Sequence, residues 1–172
     1  FPYTTLFRSK INLGSGAGGA NIDLTTATPA QALAFFGPTG AFGVTARANQ
    51  VTAYDVLWLS PEIMANLSKP YTIEVGDGTN AIISGSVLDA IRKFIPVKDI
   101  RQTYALSGNE FLAYERRKDV ISPLVGMAVG VVPLPRPMPQ SNYNFQIMSA
   151  EGLQIKRDDE GRSGVLYGAN LA

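Results

Sequence analysis

The 172-residue sequence contains no cysteine and no histidine. The first absence excludes disulfides, thiolate nucleophiles and cysteine-ligated zinc. The second removes the usual general base near neutral pH and the commonest transition-metal ligand. Most hydrolase and metalloenzyme templates go with them, leaving only carboxylate or lysine chemistry. Charge is also scarce, at 17% of residues, with 15 Lys plus Arg against 14 Asp plus Glu. No basic excess points to nucleic acid and no acidic excess to a basic partner. Long apolar runs are missing too, since none approaches the roughly 20 residues that span a bilayer. The best candidate, "VISPLVGMAVGVVPLP", is interrupted by Pro123, Pro133 and the glycines between them. A water-soluble chain with no membrane partner is expected.

What is present is apolar and rich in turn-formers: 45% hydrophobic residues, 17 glycines and 11 prolines. The length fits one domain, or a large piece of one, with a real core. Low charge combined with so much glycine and proline points to a surface covered by something else, copies of the chain being one candidate. The opening "FPYTTLFRSK" has no helical or strand period and no signal-peptide pattern. Read as codons, FPYTTLFRS matches the translation of a common sequencing-library adapter, so residues 1–9 are expected to be an artefact and the native chain to start upstream of Lys10. Residues 10–27, "INLGSGAGGANIDL" and its flanks, read as a glycine-rich linker or loop.

Helix signals follow. Thr28 is placed to cap a helix with Pro29 at its first position, Gln31 completing a capping box and Gly37 stopping it. "GPTGAFGVTARANQV" reads as turn-rich and irregular, with helical turns as the alternative. Tyr54–Leu59 is a strand, leading into a helix capped by Ser60 with Ile63, Met64 and Leu67 on one face. "YTIEVGDGT" is a strand ending in a glycine turn. "SGSVLDAIRKFIP" is a second helix, capped by Ser86, with Val87, Leu88, Ile91 and Phe94 or Ile95 buried. Strands then follow in "KDIRQTYAL", "EFLAYERR" and "DVISPLVGMAVGVVPLP". In the last segment Tyr143, Phe145 and Ile147 alternate with Asn144 and Gln146. Helices early and strands late describe an α+β fold.

Several stretches invite a chemical reading. Gly14, Gly16 and Gly19 formally satisfy G-x-G-x-x-G, but no acidic residue sits at the offset that holds a ribose. The acidic "RDDEGR" (Asp158, Asp159, Glu160) lacks calcium-loop spacing and reads as a solvated turn between strands, with Lys156, Arg157 and Arg162 available to pair across it. Ser60 sits between a strand and a helix, yet has no flanking glycines and no histidine to activate it, so it is a helix cap. "YERRKD" gathers Arg116, Arg117 and Lys118 beside Glu115 and Asp119: a polar break between strands that also suits a charge-complementary subunit contact. "VPLPRPMP", which carries Arg136, reads as a stiff extended connection.

The order of "YDVLWLSPEIMANL", "VLDAIRKFI" and "FLAYERRKDVISPLVGMAV" resembles the later part of HK97-fold shell proteins, the major capsid proteins of tailed phages and the related encapsulins. The resemblance runs from about Thr28 to Leu171. It includes a strand bearing Ala113, Tyr114, Arg116, Arg117, Asp119 and Ile121, and a closing hairpin-like pair in "NYNFQIMSAEGLQIKRDDEGRSGVLYG". It implies a partial HK97-like α+β capsid fold over residues 28–172, without the N-terminal arm, extended loop and long spine helix. The implied function is a non-enzymatic, cofactor-free subunit of an icosahedral phage capsid, assembled in the bacterial cytoplasm as hexamers and pentamers around double-stranded DNA held without sequence preference. Arg116, Arg117, Lys118 and Arg136 are the expected subunit-contact residues. An encapsulin-type compartment shell is the nearest alternative, and a small α+β enzyme or ligand-binding domain the alternative of another class.

Overall fold

The computed structural model describes residues 9–15, 18–75 and 79–170, apart from the side chains of 71–84. The chain divides into two compact units, residues 1–116 with 157–172, and residues 117–156. The described part of the first unit is a layered α+β body. Its sheet has the order β1-β9-β6-β2-β5, built from β1 (Lys10–Asn12), β2 (Tyr54–Leu59), β5 (Val97–Gln102), β6 (Phe111–Tyr114) and β9 (Val165–Ala169). β1 runs parallel to β9 and β2 parallel to β5, while β6 is antiparallel to both β2 and β9. Parallel neighbours need a long crossover, and the one from β2 to β5 carries α3 (Pro61–Leu67), the two-stranded β3–β4 sheet (Pro70–Val75, Thr79–Ser86) and α4 (Val87–Arg92).

Local chemistry places the helices as expected. α1 (Pro29–Phe36) begins with a full capping box, Thr28 Oγ1 accepting from Gln31 N and Gln31 Oε1 from Thr28 N. Ser60 Oγ accepts from Ile63 N to start α3, and Ser86 and Asp89 form a second capping box at α4. Three expectations change. "GAFGVTARA" is an ordered helix, α2 (Ala41–Ala48), whose N-cap Gly40 supplies no side-chain bond, so the usual start signal is missing. The segment before Ser86 is strand β4, and α4 ends at Arg92. Ile95 is then buried while Phe94 stays exposed. The glycine turn after β3 lies outside the described residues.

The glycine-rich stretch 10–27 is not a free linker. β1 is bonded into the sheet, and Leu13 and Leu24 are fully buried. Two buried asparagines hold this stretch from the far side of the chain. Asn66 Nδ2 donates to the carbonyls of Leu24 (3.0 Å) and Ala27 (2.9 Å). Asn109 accepts from Leu24 N (2.9 Å) and donates to Ile22 O (2.8 Å). The irregular backbone thereby meets its hydrogen-bond needs without secondary structure of its own. Of residues 1–9 only Ser9 is described. It is buried, its carbonyl accepts from Tyr167 N, and its Oγ donates to Asn49 Oδ1 at 2.8 Å.

The core is aromatic. The Phe111 ring lies 6.0 Å from Phe35, 6.3 Å from Phe36 and 5.9 Å from Phe42, centroid to centroid, and Phe42 reaches Tyr54 at 5.7 Å. This cluster joins α1 and α2 to the sheet. It exists because position 168 is glycine: a Cβ there would sit 2.1 Å from Phe111 Cε1. With Phe111 fully buried, the ring has nowhere to retreat. Gly168→Ala should therefore cost about 1–3 kcal/mol through overpacking, read as a lower urea midpoint. Tyr54 is completely buried, and its hydroxyl has no hydrogen-bond partner among the described residues. Burial, followed by the nearby Glu115 charge, pushes its pKa up. Tyr54→Phe removes a stranded polar atom and should raise stability by on the order of 1 kcal/mol; a fall in the urea midpoint would count against that account.

Candidate assembly surface

The second unit has a different construction. β7 (Ile121–Pro133) and β8 (Phe145–Ile155) form a long antiparallel ribbon that pairs with no third described strand. Pro123 and Pro133 are tolerated because each strand of a two-stranded ribbon keeps one edge unpaired. "VPLPRPMP" runs from the end of β7 into the connection at the ribbon tip, where Leu134 N donates to Asn144 O. The closing hairpin of the chain is therefore β7–β8, not a pairing across "RDDEGR". That segment links β8 to β9 of the other sheet, so it is no hairpin turn.

The ribbon is apolar and uncovered. Among the described residues, every exposed large apolar side chain except Val44, Phe94 and Tyr104 belongs to this unit. The register sorts them by face. Val131 opposes Ile147, Pro133 opposes Phe145 and Pro123 opposes Leu153, all on one side. The other side carries Leu124, Met127, Val132 and Met148, each 40–60% exposed, among Gly130, Gly152, Ala150, Gln146 and Gln154. Ile147 is 73% exposed, Leu153 68%, Val131 63% and Phe145 61%, with Glu151 between Ile147 and Leu153 on the same face. Contiguous apolar patches of this kind on a soluble protein mark sites that something else covers.

The four expected contact residues occupy separate environments. Arg116 ends the first unit, and its backbone N–H donates to Asp55 Oδ2 at 2.6 Å. Arg117 opens the second unit and pairs with Asp119, its Nε donating to Oδ1 at 3.1 Å. The Lys118 carbonyl accepts from Lys156 Nζ at 3.0 Å. The contacts of Arg116 and Lys118 are made by their backbone groups, and that of Arg117 by its guanidinium. Arg136 is distinct: it stacks over the Tyr143 ring at 4.3 Å, donates to Pro139 O, and makes no ion pair. Tyr143 in turn stacks on Phe145, with ring centroids 6.5 Å apart. An exposed cation is thus organised at the end of the apolar stripe. Glu151, on the same face, went unnoticed in the sequence. Its signal was that it is the only charge besides Arg136 between Ile121 and Ile155.

The other candidates resolve into structural roles. Ser60 is fully buried, and its Oγ donates to Gly108 O at 2.5 Å. Gly108 takes φ +58°, a left-handed conformation that suits glycine. No helix opens on the Gly14–Gly19 loop; α1 begins only at Pro29. In "RDDEGR", Arg162 pairs with Asp158 (2.6 Å) and Glu160 (2.9 Å), and no group of acidic residues able to hold a metal occurs among the described residues. A hollow of about 390 Å³ is lined by Ala20, Asn21, Ile22, Gln31, Ala34, Phe35 and Ala41, without a charged group. No described helix is long and apolar enough to cross a membrane.

The class thus defined is an α+β protein with a closed aromatic core in one unit and an open apolar β-ribbon in the other. The chain belongs to a family of unknown function, DUF6260, whose model matches residues 7–168. Among solved structures it is similar to the virus-like particle of Pyrococcus furiosus, with 18% sequence identity and a TM-score of 0.43 over 78% of this chain and 52% of that chain. The chain therefore spans about half the length of that structure's chain. No curated protein matches it.

Asp55 gives this region a pH dependence. It accepts from Lys98 Nζ and from Arg116 N, both at 2.6 Å. The Lys98 bond first, and the Arg116 N–H second, hold its carboxyl below the ordinary 3.8. A depressed folded-state pKa contributes stability that is present above the unfolded value and lost as pH falls through the folded one. Acid titration of the urea midpoint should show this loss below about pH 4, and Asp55→Asn should flatten that part of the curve while lowering the neutral-pH midpoint.

Proposed function

We propose that this chain is a structural subunit of a self-assembling protein shell. The observation that carries the reading is the long two-stranded ribbon whose large apolar side chains stand exposed. A monomer leaves those side chains in water at a cost of about 25 cal/mol per Å², whereas repeated copies can bury them. The order of elements that resembles HK97-fold shell proteins supports the same reading, as does a nearly neutral, low-charge composition suited to faces that meet one another. No catalytic role is assigned.

The finer form of the proposal is a tailed-phage major capsid protein: hexamers and pentamers closing an icosahedral virion, assembled in a bacterial cytoplasm around non-specifically held double-stranded DNA. Closure requires each contact to meet a complementary patch on the next copy, so modest contacts add over a large assembly. Arg116, Arg117, Lys118 and Arg136 remain the proposed charge contacts between subunits. Full-length protein expressed alone should sediment far above the monomer and form closed particles of uniform diameter by electron microscopy. Nuclease-protected nucleic acid inside would favour the capsid, and a packaged protein cargo the encapsulin-type shell. A chain that stays monomeric at high concentration would overturn the shell reading.

A further inference from the structure

We propose that the apolar face of the β7–β8 ribbon packs on the same face of a second copy of this chain. In this contact the two ribbons are antiparallel about a two-fold axis, and Arg136 of each copy pairs with Glu151 of the other. The inference deepens the shell reading and rests on it in one respect. The overlapped face covers on the order of a few hundred Å², short of the roughly 800 Å² per partner of a stable pairwise complex. A closed assembly adds many such contacts, and a disulfide can trap a single one.

Charge and spacing select the occupant. Between Ile121 and Ile155 the chain has two charges, Arg136 and Glu151. Neither makes an ion pair with a described residue. Glu151 opposes Val125 on the face that carries Val131, Phe145, Ile147 and Leu153. A carboxylate inside an apolar contact must meet a cation or lose most of the contact's gain. A lipid surface offers no such cation at that depth and would favour basic rather than acidic residues among the apolar ones. A second copy offers Arg136, already held over Tyr143 at the ribbon tip.

The lengths agree with a two-fold overlap. Glu151 lies six residues from Phe145 along β8, roughly 20 Å at the rise of an extended strand. Arg136 lies just beyond Phe145, joined to it by the Tyr143 stack. Two ribbons overlapped tip-first by this length, with faces about 10 Å apart, bring each Arg136 over the other copy's Glu151. The axis then falls close to Ile147, so Ile147 of one copy packs beside Phe145 and Ile147 of the other. Val131 and Pro133 fill in around them, no like charges meet, and two ion pairs flank an apolar centre. This pattern is self-complementary, as an isologous contact requires.

The absence of native cysteine makes the test clean. Full-length Phe145→Cys and Ile147→Cys proteins, mixed under mild oxidation, should form a disulfide-linked heterodimer. A Gln146→Cys and Met148→Cys mixture, on the opposite face, should not. Arg136→Glu alone and Glu151→Arg alone should each lower the cross-linked yield about tenfold, and the double variant should restore it. Circular dichroism of each variant controls for folding. Electron microscopy of the same samples reads the shell separately. Shells without the Phe145–Ile147 cross-link overturn this contact and leave the shell reading intact. The cross-link without shells supports the contact and overturns the shell reading. Equal cross-linking from both faces, failure of the double variant to rescue, or vesicle binding through the stripe each overturn the contact. So does Phe145→Cys protected from maleimide in a chain that never cross-links, which would mean another segment of the same chain covers the face.

Discussion

The first unit depends on the contact between the Phe111 ring and the bare backbone of Gly168. Phe111 is one of four phenylalanine rings packed edge-on or tilted at 5–6.3 Å, geometries that suit the aromatic quadrupole. Two of these rings, Phe35 and Phe36, end α1, and a third, Phe42, begins α2. The helices therefore lie on the sheet only because β6 and β9 approach closely enough for the ring to occupy the space a side chain at 168 would take. Asn66 and Asn109 complete the arrangement by tying the irregular stretch before α1 to the same body.

The ribbon obeys a different constraint. It has the backbone pairing of a sheet but no second layer among the described residues, so its β-branched and aromatic side chains stand in water. A two-stranded ribbon alone is marginally stable, and its apolar face represents unspent binding energy. Where the first unit uses its apolar residues to fold, the second holds them out. That contrast is the physical basis of the proposed assembly role, and the Arg136–Tyr143–Phe145 stack gives the face direction as well as area.

Much of the local structure was legible in advance. Thr28 with Gln31, Ser60 before Pro61, and Ser86 with Asp89 each satisfy orphan helix donors within three residues, so the sequence window contains the whole interaction. Tyr54–Leu59 and the alternation through Tyr143, Phe145 and Ile147 were equally plain. What escaped lacked a local signal. α2 starts without a capping side chain, β4 was not read as a strand, and the glycine-rich stretch is held by Asn66 and Asn109, tens of residues away. The hairpin was misplaced because strand pairing is a long-range choice that no window records. Of the contact site, Arg136 and the basic run were visible as residue types, but Glu151 acquired meaning only from the face on which the register places it.

The sequence by itself determined the exclusions, the α+β class and the helix starts. Composition and capping act over single residues or single turns, and neither needs the rest of the chain. Tertiary structure alone decided that Ile11, Leu13, Leu24 and Ala27 join the core, that the acidic turn joins two sheets, and that the apolar side chains of β7–β8 stay uncovered among the described residues. Those outcomes depend on strand register and on partners far apart in the chain. A one-residue shift in register would have turned Phe145, Ile147 and Glu151 to the other side.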